Sequence, residues 1–385
     1  MRLQVGRIVP VVGALAGAGL VLHPGVTLSA DLFQDPAASY TFNLYSDVQD
    51  VVVHSQYANT NVKFKNNVNM TFQWVHDVVM FPAIDAPPGT QEAADAITSA
   101  SRPIASSADP YQDYVKVRNS LEGYAGFQNA SAGYYVSRES DYFAQMVSGS
   151  YNKDFLADNL NISAGASYSW DHITPLADAD TEGVPDYRRT IHWNVVGTHI
   201  LTPTTVVRLG VEMNQVSGLQ HDPYRNVYVA GANVPEHHPD SRSRRDLFMG
   251  VNQYFQNRSS VNLEYRLYND DWGVASHTVG VKLNQYITDA VTMRYRYRYY
   301  GQDAATFYRE EYTEVGGVDG FQTNDYRLGE FGSHLFGGRL LWRPWPSVDG
   351  PGFMTGAEVM FSYERYFNSN NFSANIIETG LLIAF

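Results

Sequence analysis

The chain contains no cysteine among its 385 residues, which excludes disulfide scaffolds, thiolate metal sites and cysteine nucleophiles. Charge is sparse, at 17%, and positive charge is sparser still: 27 Lys and Arg stand against 40 Asp and Glu, a formal net charge of −13. That balance speaks against nucleic acid as a partner, which requires a basic surface. Past the first thirty residues there is no run of 18 apolar residues, so no spanning helix is expected. Gly-x-Ser-x-Gly elbows, phosphate loops, dinucleotide fingerprints and His-Glu-x-x-His are all missing. Ser276 and His277 are adjacent, but neighbours on a strand point to opposite faces and cannot form a nucleophile and base directly. No enzyme activity and no cofactor are expected from this set.

Aromatic residues, by contrast, are abundant. With 27 Tyr, 19 Phe and 31 Gly, aromatics make up 14% of the chain, yet the mean hydropathy is −0.30. Disordered chains have few aromatics, and helical membrane proteins are not polar on average.

The first thirty residues read as an export signal. Arg2 and Arg7 precede an apolar stretch over 8–22, and Thr27-Leu28-Ser29-Ala30 supplies small residues near a cleavage point. This is the layout of a secretory signal peptide rather than a spanning helix. The remainder, 31–385, reads as one domain.

That domain alternates with period two. Leu160, Ile162, Ala164, Ala166, Tyr168 and Trp170 are interleaved with Asn, Ser, Gly and Asp; Val261, Leu263, Tyr265 and Leu267 with Asn262, Glu264 and Arg266; Val291, Met293, Tyr295, Tyr297 and Tyr299 with Thr292, Arg294, Arg296 and Arg298. Each segment therefore has one apolar and one polar face. A soluble sandwich would also alternate, but here the segments are long and their apolar stripes end in Tyr and Trp, as in barrels with aromatic girdles. Every proline falls outside the strands so delimited, as a residue that cannot donate to a ladder should.

Sixteen strands are predicted, near 38–46, 49–64, 67–80, 113–126, 131–139, 142–155, 159–172, 189–202, 205–219, 243–256, 259–271, 276–288, 290–301, 330–343, 355–367 and 372–385. Short turns alternate with long loops near 81–112, 173–188, 220–241 and 301–330, plus two short connections on the long-loop side near 273–276 and 368–371. The fold expected is an all-β, antiparallel, up-and-down transmembrane barrel, with short periplasmic turns and longer extracellular loops. The last residue, Phe385, closes an apolar stripe of Ile377, Thr379, Leu381 and Ile383. An aromatic-ended terminal strand is suited to recognition by the bacterial barrel-assembly machinery. The localisation that follows is the bacterial outer membrane, reached after signal-directed export, with outer-membrane lipid as the surrounding partner.

Several loop and strand-end motifs resemble one bacterial family. They are Asp222-Pro223-Tyr224; His238-Pro239-Asp240-Ser241-Arg242; Asp270-Asp271-Trp272-Gly273 with Ser276-His277-Thr278; and Arg298-Tyr299-Tyr300 with Phe307-Tyr308. They are similar to those of a domain-of-unknown-function family, DUF3570, of outer-membrane proteins. The resemblance is best over 141–308 and weaker elsewhere, and it departs in the first hundred mature residues, around the Pro/Ala-rich stretch near 81–112. It implies a barrel and an outer-membrane location, and no reaction.

If the apolar faces meet lipid, Arg208, Glu264, Arg266, Lys282, Arg294, Arg296, Arg298, Arg339, Glu358 and Glu364 line the lumen. Sixteen strands leave an aqueous channel, and a basic wall attracts anions, so a porin-like passage for small anionic solutes is one expectation. The competing expectation is that the cations pair with Glu264, Glu358 and Glu364 and brace the wall. A third reading places a metal among His237, His238, Asp240, Asp270, Asp271 and His277 at the loop ends, imidazole and carboxylate being suitable ligands. A fourth makes the barrel a surface receptor or the subunit of an envelope complex. The acidic loop carrying Glu310, Glu311, Glu314, Asp319 and Asp325 reads first as a solvated face. No stretch of the sequence marks an oligomer interface.

Overall fold

The computed structural model describes residues 33–64, 66–81, 114–176, 185–230, 232–314, 316–345 and 356–384. The export signal over 1–30, most of the 81–112 loop and Phe385 therefore lie outside the described residues.

Among the described residues there are eighteen strands, and sixteen close into one antiparallel barrel. In chain order they are β1 (Phe33–Asp47), β2 (Val52–Phe64), β3 (Val68–Phe81), β4 (Tyr114–Phe127), β5 (Ala130–Arg138), β6 (Tyr142–Phe155), β7 (Leu160–Ile173), β8 (Asp186–Thr202), β9 (Thr205–Gly218), β10 (Asn226–Val229), β11 (Ala232–Pro235), β12 (Ser241–Phe255), β13 (Ser259–Asp270), β14 (Ala275–Tyr286), β15 (Val291–Gln302), β16 (Phe331–Trp342), β17 (Glu358–Asn368) and β18 (Ser373–Ala384). The ring closes where β1 pairs with β18, Phe42 opposite Thr379. With its edges paired, the sheet leaves no open ladder. The small hairpin β10–β11 stands apart as a two-stranded sheet.

The barrel is inverted relative to a soluble domain. Phe72, Leu121, Ile191, Leu263 and Phe361 are each about 40–50% exposed on its outer face, a belt that only lipid would cover. Aromatic side chains edge the belt: Phe127, Phe155, Tyr254, Tyr286 and Trp342 toward the short-turn rim, Tyr187 and Phe367 toward the other. The alternation read from the sequence is thus the alternation of the wall.

Two expectations need correction. Four connections at the loop rim are short, not two: 48–51 and 139–141 join 271–274 and 369–372. Proline is also not absent from the strands. Pro36 lies in β1, where the register with β2 shifts between Gln34 and Ala37; a bulge is one of the few sheet positions that needs no N–H donor.

Candidate functional site

The long loops fold together across one mouth of the barrel. Over 219–240 the chain turns through the β10–β11 hairpin, and over 303–330 it runs alongside. The two loops exchange backbone hydrogen bonds between His237 and Gln322, at 3.0 and 2.9 Å. Two dry clusters hold them. Val227 and Val229 pack under Tyr312 and Val234; Trp272, Val274, Ala305, Phe307 and Leu328 form the second, with Val318 and Phe321 against it. Each fully buried valine of this kind contributes about 1.5–3 kcal/mol. Among the described residues these are the clusters of buried apolar side chains, so the dry core of this protein is in its cap.

The cap is fastened around the rim. The Tyr224 hydroxyl donates to Asp141 at 2.7 Å, between β5 and β6, and accepts from the Leu176 N–H at 2.9 Å. Gln302 donates to the carbonyls of Gly329 and Arg327, and the Tyr326 ring stacks near Phe372, between β17 and β18. Asp270 has no exposed side-chain surface and accepts from Arg242 at 2.5 Å, from the Tyr268 hydroxyl, and from the Trp272 and Val274 N–H groups. Arg242 in turn lies 4.2 Å from the Trp272 ring centroid. Gly273 sits at φ +89°, and a Cβ there would meet the Thr306 methyl at 2.6 Å, so the tight turn and the cap contact both require glycine.

Burial perturbs the charges inside the cap. Burial pushes the Asp222 carboxyl up to about 6, against the Tyr224 N–H and Arg225. It also holds the His221 imidazole below its ordinary value, with His238 adding to the effect. Asp325 is buried too, but the Arg327 guanidinium bonded to it and nearby Arg225 keep its carboxyl low.

Below the cap, the polar face of β9 and β12–β15 lines a cavity of about 880 Å³. Arg208, Glu212, Glu264, Arg266, Arg296 and Arg298 line it, together with Arg242, Arg244, Asp246, Phe248 and Tyr300, which the sequence reading did not single out as its lining. Lys282, Arg294 and Arg339 lie nearer the short-turn rim around a smaller cavity of about 180 Å³, shared with Arg296 and Glu364. Glu358 faces the same way and takes Arg343 at 2.9 Å.

Much of the wall is paired. Lys282 meets Glu264 at 3.1 Å, Arg296 meets Glu364 at 2.9 Å and Arg339 meets Glu378 at 3.2 Å. Arg266 approaches Asp246 at 3.4 Å and Glu212 at 3.6 Å. Four arginines on the inner face of β9, β12 and β15 make no ion pair among the described residues. Arg208 lies over the Phe248 ring, Arg294 donates to Asn284 at 2.7 Å, and Arg244 and Arg298 face the larger cavity. Around β4–β6 a separate group joins Lys116 to Glu139 and Asp141, and Arg118 to Asp77.

The six residues considered for a metal do not converge. His277 faces outward and bonds the Tyr265 hydroxyl at 2.6 Å. His238 is buried between Trp272 and Phe307, 2.9 Å from Glu236, while His237 is exposed and 2.9 Å from the Gly320 carbonyl. Asp270 is fully engaged as above, Asp271 accepts the Ser243 N–H, and Asp240 is exposed, its carbonyl taking the Gly218 N–H. No group of three or more His, Asp or Glu with metal-holding geometry exists among the described residues. Apart from the outward-facing His277, these motif residues lie in the cap and its seam with the barrel, which local spacing along the chain does not reveal.

Comparison with known proteins gives three kinds of result. No curated protein sequence matches the chain. Among solved structures, the barrel is similar to OccD3 (OpdP) of Pseudomonas aeruginosa, at 10% identity and TM-score 0.46, covering 92% of this chain and 93% of that one. It is also similar to a BenF-like porin from Pseudomonas fluorescens Pf-5, at 7% identity and TM-score 0.44, covering 92% and 100%. A loop L8 deletion mutant of OmpT, an outer membrane protein of Vibrio cholerae, matches at 9% identity and TM-score 0.43, over 92% and 100%. A family model matches residues 13–341, and the chain belongs to that family, described as protein of unknown function (DUF3570).

Proposed function

We propose that this protein is an outer-membrane channel for small solutes, exported by its N-terminal signal and selective for anions. The observation that carries the reading is the charged half of the lumen, where Arg208, Arg244, Arg294 and Arg298 keep their charge without a carboxylate partner. In a water-filled passage such groups lower the energy of anions and raise that of cations. The apolar outer belt supports the membrane location. The test is planar-bilayer conductance of the detergent-purified mature chain in a salt gradient, for the native sequence and for the triple change of Arg294, Arg296 and Arg298 to Ser. The native reversal potential is expected to favour anions. The triple change is expected to move it toward zero or to cation preference; an unmoved potential would refute the anion reading.

The cap favours a second reading. A lid with two dry clusters across the mouth suits a barrel that conducts rarely and serves as a receptor or as a subunit of an envelope complex. A folded, heat-modifiable barrel that gives no conductance steps would select it.

A further inference from the structure

We propose that the 180 Å³ niche between β14 and β17 is a binding site for one compact oxyanion, of the phosphate or carboxylate type. It is lined by Lys282, Arg294, Arg296, Arg339, Ser362 and Glu364, with Gly337 and Gly338 at its floor. The proposal rests on the channel reading for its purpose and on the geometry alone for binding.

The ladder puts like charges face to face. Lys282 is the register partner of Arg296, and Arg294 is the register partner of Arg339. Arg294 and Arg296 are two residues apart on β15, so the four cations form a compact patch on one face of three adjacent strands. Directly opposed side chains have Cβ atoms about 5 Å apart, and like charges at that spacing destabilise a sheet. Such a patch needs compensation.

Protein carboxylates supply part of it. Glu264 takes Lys282 with both oxygens, at 3.1 and 3.2 Å. Glu364 takes Arg296 at 2.9 and 3.2 Å, and Glu378 takes Arg339 at 3.2 and 3.4 Å. The latter two reach over from strands two positions away. Gly337 makes the first reach possible, because a Cβ there would lie 2.7 Å from the Glu364 Cγ. Four cations against three carboxylates leave one positive charge uncompensated. It falls on Arg294, whose Nε donates to Asn284 at 2.7 Å and which has no carboxylate. A guanidinium is a planar fork matched to carboxylate and phosphate oxygens. The niche volume admits one such group and excludes a large solute. Arg296 lines both this niche and the 880 Å³ cavity above it, so an anion in the capped cavity has a continuous arginine-lined route to the niche.

The test is equilibrium dialysis of radiolabelled inorganic phosphate against the full mature barrel in zwitterionic detergent, with acetate and sulfate as competitors. Saturable binding at a single site per barrel is expected. Arg294→Gln keeps a donor for Asn284 and frees no carboxylate, so it should fold, as heat-modifiable mobility will show, and weaken binding about tenfold, the equivalent of 1.4 kcal/mol. Arg208→Ser, across the larger cavity, should leave the affinity within about twofold. Competition by acetate at similar concentrations would identify a general carboxylate and phosphate site; competition by sulfate alone would narrow it to tetrahedral anions. No saturable binding by the native barrel would overturn the proposal, as would equal weakening by both substitutions, which would mean diffuse lumen electrostatics. Dialysis requires no permeation: absent conductance with intact binding would sink the channel reading and leave the site, and the reverse result would sink the site alone.

Discussion

Asp222 is where a single atom decides the energetics of the cap. Its Oδ1 accepts the Tyr224 N–H at 3.0 Å, while Oδ2 is buried without a hydrogen bond. Arg225, Glu236 and Arg327 are the charged groups that act on it. An acid whose folded pKa is raised, here to about 6 from the usual 3.8, contributes stability that is complete below the unfolded value and is lost as pH rises through the folded one. Asp222→Asn keeps the Oδ1 acceptor and removes the titration. The variant cap should therefore match the native cap near pH 4 and exceed it by on the order of 2 kcal/mol at pH 8. His221, held low by burial, works in the opposite direction, adding stability that is lost as pH falls through its depressed value; it is common to both proteins and cancels in the difference. Hydrogen exchange at the Tyr224 and Arg225 amides, corrected for intrinsic rates, reads this directly. A native-minus-variant difference that does not change with pH would refute the assignment.

The strands were legible because period two has a single physical cause, lipid on one side and water on the other. Leu263 stands for the rule. It is 49% exposed on the outer face, central in β13, with Val251 and Val281 as its register partners. Leu263→Arg should cost about 2–4 kcal/mol, as a charge near the bilayer midplane does. Asn262→Glu, one residue away, lining the 880 Å³ cavity and facing Lys282 across the ladder, should change stability by about 0.5 kcal/mol or less. Urea titration of refolding into lipid vesicles separates the two; equal costs would mean the outer face is not in lipid. The β10–β11 hairpin was not legible, because four-residue strands are too short to show a period and their partner Tyr312 is more than eighty residues away in sequence. The β1 extension past Pro36 escaped for another reason: a bulge tolerates the residue that usually marks a strand's end. At the site, the inward face of each candidate follows from alternation alone. Their partners do not, since Glu364 and Glu378 reach across two strands and Gly337 must leave the space.

At the scale of the whole molecule, the lumen is divided. The wall of β6–β8 presents Ser148, Ser150, Ser163, Ser167, Ser169, Thr190, Asn194 and Thr198 around about 820 Å³ of open space, while β9 and β12–β17 present Arg208, Glu212 and the other arginines with their carboxylates. Hydroxyls and amides hold water without choosing a sign of charge, so selectivity is assigned to the opposite wall. The cap bridges both halves, fastened at Asp141 on one side and at Gln302 and Phe372 on the other. Its acidic residues Glu310, Glu311, Glu314 and Asp319 are exposed and line none of the arginine cavity; Asp325 lines it but is paired there with Arg327. Replacing 304–329 with a short Gly/Ser turn leaves every register pair of β15 with β16 in place, and the barrel should still close. It removes Phe307, Tyr312, Phe321 and Leu328 from both dry clusters, so the hairpin over 226–235 loses its packing and the mouth opens. The shortened protein should show larger and longer conductance steps than the native one, with the same anion preference, because the arginines of the wall are unchanged. Unchanged step size would place the narrowest point in the wall rather than the cap. A switch to cation preference would mean that the 303–330 loop, and not the arginine wall, sets the sign of the field.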